Sequence, residues 1–139
     1  MTHEILKGKV AVITGGGRGI GAAIAEKMAA LGADVAVLYA GNQSAAESVC
    51  LRCRQTYDIR AESYRCDVSD FNAVKETVAK IKADFGTVHI LVNNAGITRD
   101  GLAAVMKEED FDAVLQTNLK GAFHMIRHCC GLFIRNREG

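Results

Sequence analysis

Four short apolar runs alternate along the chain with longer stretches in which apolar residues recur every third or fourth position. Lys9 to Thr14 and Val35 to Tyr39 are almost unbroken apolar runs, the pattern of strands buried on both faces of a parallel sheet. Arg60 to Arg65 is a more polar run, which suits a strand nearer a sheet edge. His89 to Val92 is the fourth strand. Between these lie three helical patterns. Ile20 to Leu31 carries Ile20, Ala23, Ile24, Met28 and Leu31 at helical spacing, with Gly32 closing the helix. Ser44 to about Tyr57 opens on Ser44-Ala45-Ala46-Glu47, which reads as a capping box, and turns Val49 and Cys53 inward. The third carries Phe71, Val74, Val78, Ile81 and Phe85 behind a cap at Ser69 or Asp70. Two more helical patterns follow the fourth strand, Lys107 to about Asn118 and Leu119 to about Arg135.

Strands alternating with helices of this length predict right-handed crossovers and an α/β fold, a doubly wound parallel sheet covered on both faces. The 139 residues, 49% apolar and 24% charged, suit one globular unit. The alternation stops where a further strand is due. Residues 1–139 are therefore expected to form a single half-domain, truncated after the fourth strand and the two following helices. Lys plus Arg number 17 against 16 Asp plus Glu, and this balance points to neither nucleic acid nor a membrane surface as partner. The apolar runs are too short to span a bilayer, and Met1 to Glu4 carries no basic lead into a signal core. A cytoplasmic location is expected.

Glycine changes the picture. The chain has 14 Gly and no Pro, and five of the glycines fall between Gly15 and Gly21. The segment Thr14-Gly15-Gly16-Gly17-Arg18-Gly19-Ile20-Gly21 follows a strand and opens a helix. A pyrophosphate needs close backbone approach and free N–H groups, and a glycine loop at a helix N-terminus supplies both. The spacing Gly17-x-Gly19-x-x-Ala22 fits the common dinucleotide fingerprint loosely; Thr14-Gly15-x-x-x-Gly19-x-Gly21 is the more specific match. The expectation is a Rossmann-type cofactor cradle.

The nicotinamide cofactor is chosen at the end of the second strand, where a carboxylate would bond the ribose 2′-hydroxyl and repel a 2′-phosphate. Asp34 lies about the right count from Gly15 but at the wrong end of that strand. The right end, Tyr39-Ala40-Gly41-Asn42, holds no carboxylate. Arg18 can grip a 2′-phosphate with its fork, and Asn42 and Ser44 can add hydrogen bonds. NADP(H) is the predicted cofactor.

Other chemistry is weaker. Cys50 and Cys53 form a C-x-x-C, Cys129 adjoins Cys130, and Cys66 stands alone, so the pairs of ligands that a zinc site requires are not assembled. The five read as buried or half-buried thiols, and no metal is predicted. His124 and His128 have a ligand spacing on a helix, but Met125 occupies the place of a zinc protease's glutamate. They read as a solvent-facing stripe.

Four motifs in order give the sequence a resemblance to the short-chain dehydrogenase/reductase family. They are the loop Thr14 to Gly21, Asp67-Val68 after the third strand, Asn93-Asn94-Ala95-Gly96 at the end of the fourth, and Asn118 on the helix beyond. The resemblance implies that Asp67 and Val68 contact the adenine ring. It implies that Asn94, Ala95 and Gly96 line the cofactor groove, and that Asn118 belongs to the catalytic tetrad. Thr14, Gly15, Gly17, Arg18, Gly19, Ile20, Gly21, Tyr39 and Asn42 complete the expected cofactor site. The run Asn93 to Leu102 and Thr117-Asn118-Leu119-Lys120-Gly121 look most like the 3-oxoacyl-[acyl-carrier-protein] reductase subgroup. That subgroup reduces a β-ketoacyl thioester with NADPH in fatty acid synthesis. Acetoacetyl-CoA, sugar and steroid reductases look alike over this half, and a nucleotide-binding module without turnover is the reading from another class. The family's Ser and its Tyr-x-x-x-Lys pair have no counterpart among Tyr39, Tyr57 and Tyr64, so this chain alone is expected to be inactive.

Two expectations concern partners. The stretch from Lys120 carries Lys120, Arg127, Arg135 and Arg137 against Glu138 alone. The resemblance implies an acidic acyl carrier protein received by basic residues beside the active-site mouth; Arg135 and Arg137, at the end of the last helix, are the candidate docking residues. It also implies a homo-oligomer, dimer or tetramer, packed through the helices 107–118 and 119–135.

Overall fold

The computed structural model describes residues 3–139. Met1 and Thr2, on which part of the leader reading falls, lie outside the described residues. Four strands, β1 (Val10–Thr14), β2 (Asp34–Tyr39), β3 (Ala61–Arg65) and β4 (Ile90–Val92), form one sheet in the order β3-β2-β1-β4. Every pairing is parallel. Two-residue alternation splits their side chains between two cores. Ala11, Ile13, Val35 and Val37 face α1 (Gly19–Ala30) and α2 (Gln43–Thr56). Val12, Ala36 and Leu38 face α3 (Phe71–Phe85) and α5 (Gly121–Asn136). The result is a three-layer α/β/α unit with β3 at one edge, as its polar sequence implies.

The helices differ in detail from the reading of the sequence. In α1 the inward row is Gly21, Ala25 and Ala29, and Ile20 is 76% exposed. Small residues at a spacing of four let α1 lie close on the strands, and the bulkier Ile24 and Met28 fill the flanks. Gly32 follows this helix at φ 95°, a left-handed closure open to glycine. The cap of α2 is Asn42, not Ser44: its Oδ1 accepts from Ala45 N at 3.0 Å and from Ser44 Oγ at 3.1 Å. Glu47 instead accepts from Gln43 Nε2 at 2.8 Å. Asp70 caps α3 by accepting from the amides of Asn72 and Ala73.

No break separates the last two helical patterns. α4 (Glu108–Val114) runs through a π-helical turn (Leu115–Lys120) into α5, with right-handed helical dihedrals at both junctions. The Gly121 amide reaches back five residues to the Gln116 carbonyl.

His124 and His128 do not face solvent as a stripe. His124 is buried, and its Nδ1 donates to the Val68 carbonyl at 2.8 Å. Its ring meets Phe71 edge-on at 5.4 Å, and His128 lies 4.5 Å from the same ring. The reason is tertiary: this side of α5 is covered by the start of α3, which a single-helix reading cannot see.

Candidate functional site

The carboxyl ends of β1, β2, β3 and β4 open on a cleft of ≈ 830 Å³, within the range of small-molecule sites. Its floor is the loop between β1 and α1. Gly15 and Gly19 adopt φ of 63° and 56°, left-handed values that glycine reaches without penalty. A Cβ at Gly19 would meet nothing within 4 Å, because the backbone there opens on the cleft. Arg18, the residue before α1, offers no side-chain acceptor to the first-turn amides, and no acidic residue stands in that turn. Those amides are left for an anion, whereas the first turns of α2 and α3 are satisfied by Asn42 and Asp70. The cradle therefore fits a dinucleotide pyrophosphate.

The structure brings most of the expected cofactor residues to this cleft. Gly15, Gly17, Arg18, Gly19 and Ile20 line it from the loop, and Tyr39 and Asn42 line it from the end of β2. Asp67 and Val68 form the wall beyond β3, and Asn94, Ala95 and Gly96 the wall beyond β4. Two expected residues stand behind the loop. Thr14 is buried, its hydroxyl accepting from the amides of Asn94 at 3.0 Å and Ala95 at 2.9 Å. Gly21 faces inward, where a Cβ would overlap the Gly15 carbonyl oxygen and the Asn94 amide. Asn94 ties the two walls together by donating from Nδ2 to the carbonyls of Thr14 and Gly15, both at 3.1 Å.

At the wall beyond β3, the Asp67 carboxylate accepts from Ser69 N at 3.0 Å and Ser69 Oγ at 2.7 Å, which holds the turn into α3. Val68 is wedged against α5: a Cβ at Gly121 would stand 2.6 Å from Val68 Cγ2. Asp34 stays at the far end of β2, where its carboxylate accepts from Arg60 N at 2.9 Å. Ser44 lies in a separate groove with Glu47, Ser48 and Ser63, outside the lining of the cleft.

Asn118, in the π-helical turn, clamps the loop after β4 with both ends of its amide. Its Oδ1 accepts from Ile97 N at 2.8 Å, and its Nδ2 donates to Ile97 O at 3.0 Å. Its neighbour Thr117 lines the cleft. Leu38, Ala40, Gly41, Ala45, Cys66, Ile97 and Thr117 line it without having been expected to. Each adjoins or lies near a motif residue, and that adjacency is the only signal the sequence holds for them.

Arg135 and Arg137 are not beside the cleft, which corrects the docking expectation. α5 begins against Val68, at the cleft end of the sheet, and runs back toward the opposite end. There Asn136 Nδ2 donates to Thr87 Oγ1 at 2.7 Å and Val88 O at 3.1 Å, ahead of β4, and Glu138 pairs with Lys9, ahead of β1. Both arginines are carried to the far end of the molecule by this antiparallel course.

Four of the five cysteines are buried and held as thiols by their environment; Cys130 is exposed on the outer face of α5, against the expectation that all five are covered. Burial pushes the Cys50 thiol up to about 12 and the Cys129 thiol up to about 11. Burial likewise raises Cys53 and Cys66. Among the described residues, no three His, Cys, Asp or Glu side chains are grouped to hold a metal ion. No helix among them is long and apolar enough to cross a membrane.

This sheet order, glycine loop and carboxyl-end cleft define a nucleotide-binding α/β protein. The chain belongs to the short chain dehydrogenase family, whose sequence profile matches residues 9–139. It is 40% identical over 131 residues to the 3-oxoacyl-[acyl-carrier-protein] reductase of Staphylococcus aureus, covering 94% of this chain and 53% of that protein. A Burkholderia cenocepacia short chain dehydrogenase solved in complex with NADP superposes with a TM-score of 0.88 at 38% identity, over 91% of this chain and 51% of that one. An NAD+-bound xylitol dehydrogenase superposes with a TM-score of 0.91 at 35% identity, over 96% and 51% respectively. The chain thus spans about half the length of the relatives it matches.

Proposed function

We propose that the whole protein is a cytoplasmic NADPH-dependent reductase that converts a 3-oxoacyl thioester, borne on acyl carrier protein, to its 3-hydroxyacyl form. Residues 1–139 supply its cofactor-binding half. The observation that carries the cofactor choice is the end of the cleft beyond β2, where Tyr39, Ala40, Gly41 and Asn42 present no carboxylate and Arg18 faces them from the glycine loop. The NADP-bound Burkholderia relative supports the same choice. The substrate class is supported by the S. aureus reductase and by the run Asn93 to Leu102, of which Asn94 to Ile97 line the cleft.

NADPH supplies the hydride when bound. This chain's residues bind and orient. The first-turn amides of α1 would hold the pyrophosphate, Arg18 the 2′-phosphate, and Asp67 and Val68 the adenine. Asn118 fixes the Ile97 peptide and so would hold in place the cleft wall beyond β4 when the cofactor is bound.

The test follows NADPH oxidation by absorbance in the full-length protein, with acetoacetyl thioesters of acyl carrier protein and of coenzyme A. Turnover with these, and NADPH preferred over NADH, is the expected result. The xylitol dehydrogenase neighbour favours a second reading, NAD-linked oxidation of a polyol. Turnover of xylitol with NAD+ and none of the thioesters with NADPH would replace the first reading with the second.

A further inference from the structure

We propose that Arg65 is a second cation of the ribose 2′-phosphate subsite and shares with Arg18 the discrimination of NADP(H) from NAD(H). The inference rests on the cofactor reading above and deepens it.

The register of the sheet carries the argument. Arg65, the last residue of β3, is the direct partner of Tyr39, the last residue of β2, and the Cys66 amide donates to the Tyr39 carbonyl at 2.8 Å. Paired residues of parallel strands share a face, and faces alternate along each strand. Ala61 shares a core with Val35 and Val37, so Ala61, Ser63 and Arg65 lie on the α2 side of the sheet. Ser63 shares a groove with Ser44 and Ser48 of α2. One step further toward the carboxyl end, Arg65 stands beside Tyr39, just outside the lining of the cleft and next to the rim that Tyr39, Gly41 and Asn42 form opposite Arg18.

The charges there are unbalanced. Arg65 is exposed, and among the described residues it makes no hydrogen bond or ion pair; the same holds for Arg18. No carboxylate lines the rim from Tyr39 to Ala45. The acids closest in sequence and register are engaged elsewhere: Glu47 accepts from Gln43, and Asp67 from Ser69. A phosphate monoester with a charge near −2 placed at the rim between Tyr39 and Ala45 would have two guanidinium forks within reach, while the one carboxylate lining the cleft, Asp67, stands on the wall beyond β3. A neutral ribose 2′-hydroxyl gains far less from the second fork than a dianionic phosphate does.

The test is calorimetric binding of NADP+, NAD+, 2′,5′-ADP and 5′-AMP to the full-length protein and its Arg65→Gln, Arg65→Lys and Arg18→Ala variants. Arg65→Gln is expected to weaken NADP+ and 2′,5′-ADP about tenfold while leaving NAD+ and 5′-AMP unchanged. Arg65→Lys should recover part of the loss, and the salt dependence of NADP+ binding should flatten in Arg65→Gln. Unchanged NAD+ affinity doubles as the control for folding. If Arg18→Ala collapses the NADP+ preference and Arg65→Gln does not touch it, Arg65 has no part in it and the cofactor reading stands. An equal loss for both dinucleotides also overturns the assignment, because it marks a purely structural role. If the unaltered protein binds NAD+ as tightly as NADP+, the cofactor reading itself falls, and the role of Arg65 with it.

Discussion

A side chain at position 21 has no space to occupy. Gly21 faces the Gly15 carbonyl and the Asn94 amide across the seam between the glycine loop and the loop after β4. Gly21→Ala forces these two walls apart, so the expected outcome is a loss of about 1–3 kcal/mol in chemical denaturation. Dinucleotide affinity should fall with it, because the same walls form the cleft. His128 carries a second prediction. Its Nε2 is buried without a partner, and burial first, then Arg127, Lys75 and His124, push its pKa below the ordinary 6.5. The unfolded chain then takes up the proton before the folded one as pH falls. Stability is therefore full above about pH 6.5 and declines below it. Thermal unfolding from pH 7.5 to 5 should show a steeper fall in Tm for the native chain than for His128→Asn. Equal slopes would remove His128 from the account. At this scale the sequence was most legible where the backbone itself makes the site. Gly15 and Gly19 take left-handed backbone angles, and Gly17 lies where a side chain would press on Ala46 of α2. His124 and His128 were misread because their burial depends on α3, distant in sequence.

Helix ends and faces were legible wherever one local interaction decides them, and illegible where two compete. Asp70 caps α3 by the rule for its residue type. At α2, Ser44 and Asn42 both qualify, and Asn42 wins because its Oδ1 gathers the Ala45 amide and the Ser44 hydroxyl together. The run from Glu108 to Asn136 hid its character too. The two helical patterns read from the sequence are one continuous helical run, joined by the wide turn Leu115–Lys120. That turn also sets the angle of Asn118, whose amide holds Ile97 as a neighbouring strand would. Asn118→Ala removes both bonds at an exposed place, so the global cost should be about 1–2 kcal/mol. The larger effect is local: amide exchange from Ile97 to Gly101 should quicken, and kcat of the full-length protein should fall more than the affinity for the dinucleotide. Unchanged exchange at Ile97 would show that the clamp does not order this loop.

The polarity of the whole unit follows from its parallel sheet. All four strands deliver their carboxyl ends, and with them every loop of the cleft, to one end of the molecule. The alternation of apolar runs and helical stripes was enough to foresee this. It did not foresee where Arg135 and Arg137 fall, because the direction of α5 against the sheet decides that, and charge counted along the sequence carries no direction. The same helices present a row of exposed apolar side chains. Phe111, Leu119, Phe123 and Ile126 are each more than half exposed along α4, the π-helical turn and α5. Apolar side chains gathered so densely on one continuous helical run seldom stay in water in a stable protein. A second copy of the chain is the occupant expected there, meeting the first helix against helix. Light scattering of the full-length protein at micromolar concentration should give the mass of a dimer or tetramer. Phe123→Glu places a charge within the contact and leaves the two cores untouched, so it should lower that mass toward the monomer without changing the far-ultraviolet circular dichroism. A native protein that is already monomeric at that concentration, or a mass indifferent to Phe123→Glu, would show that this face has another use.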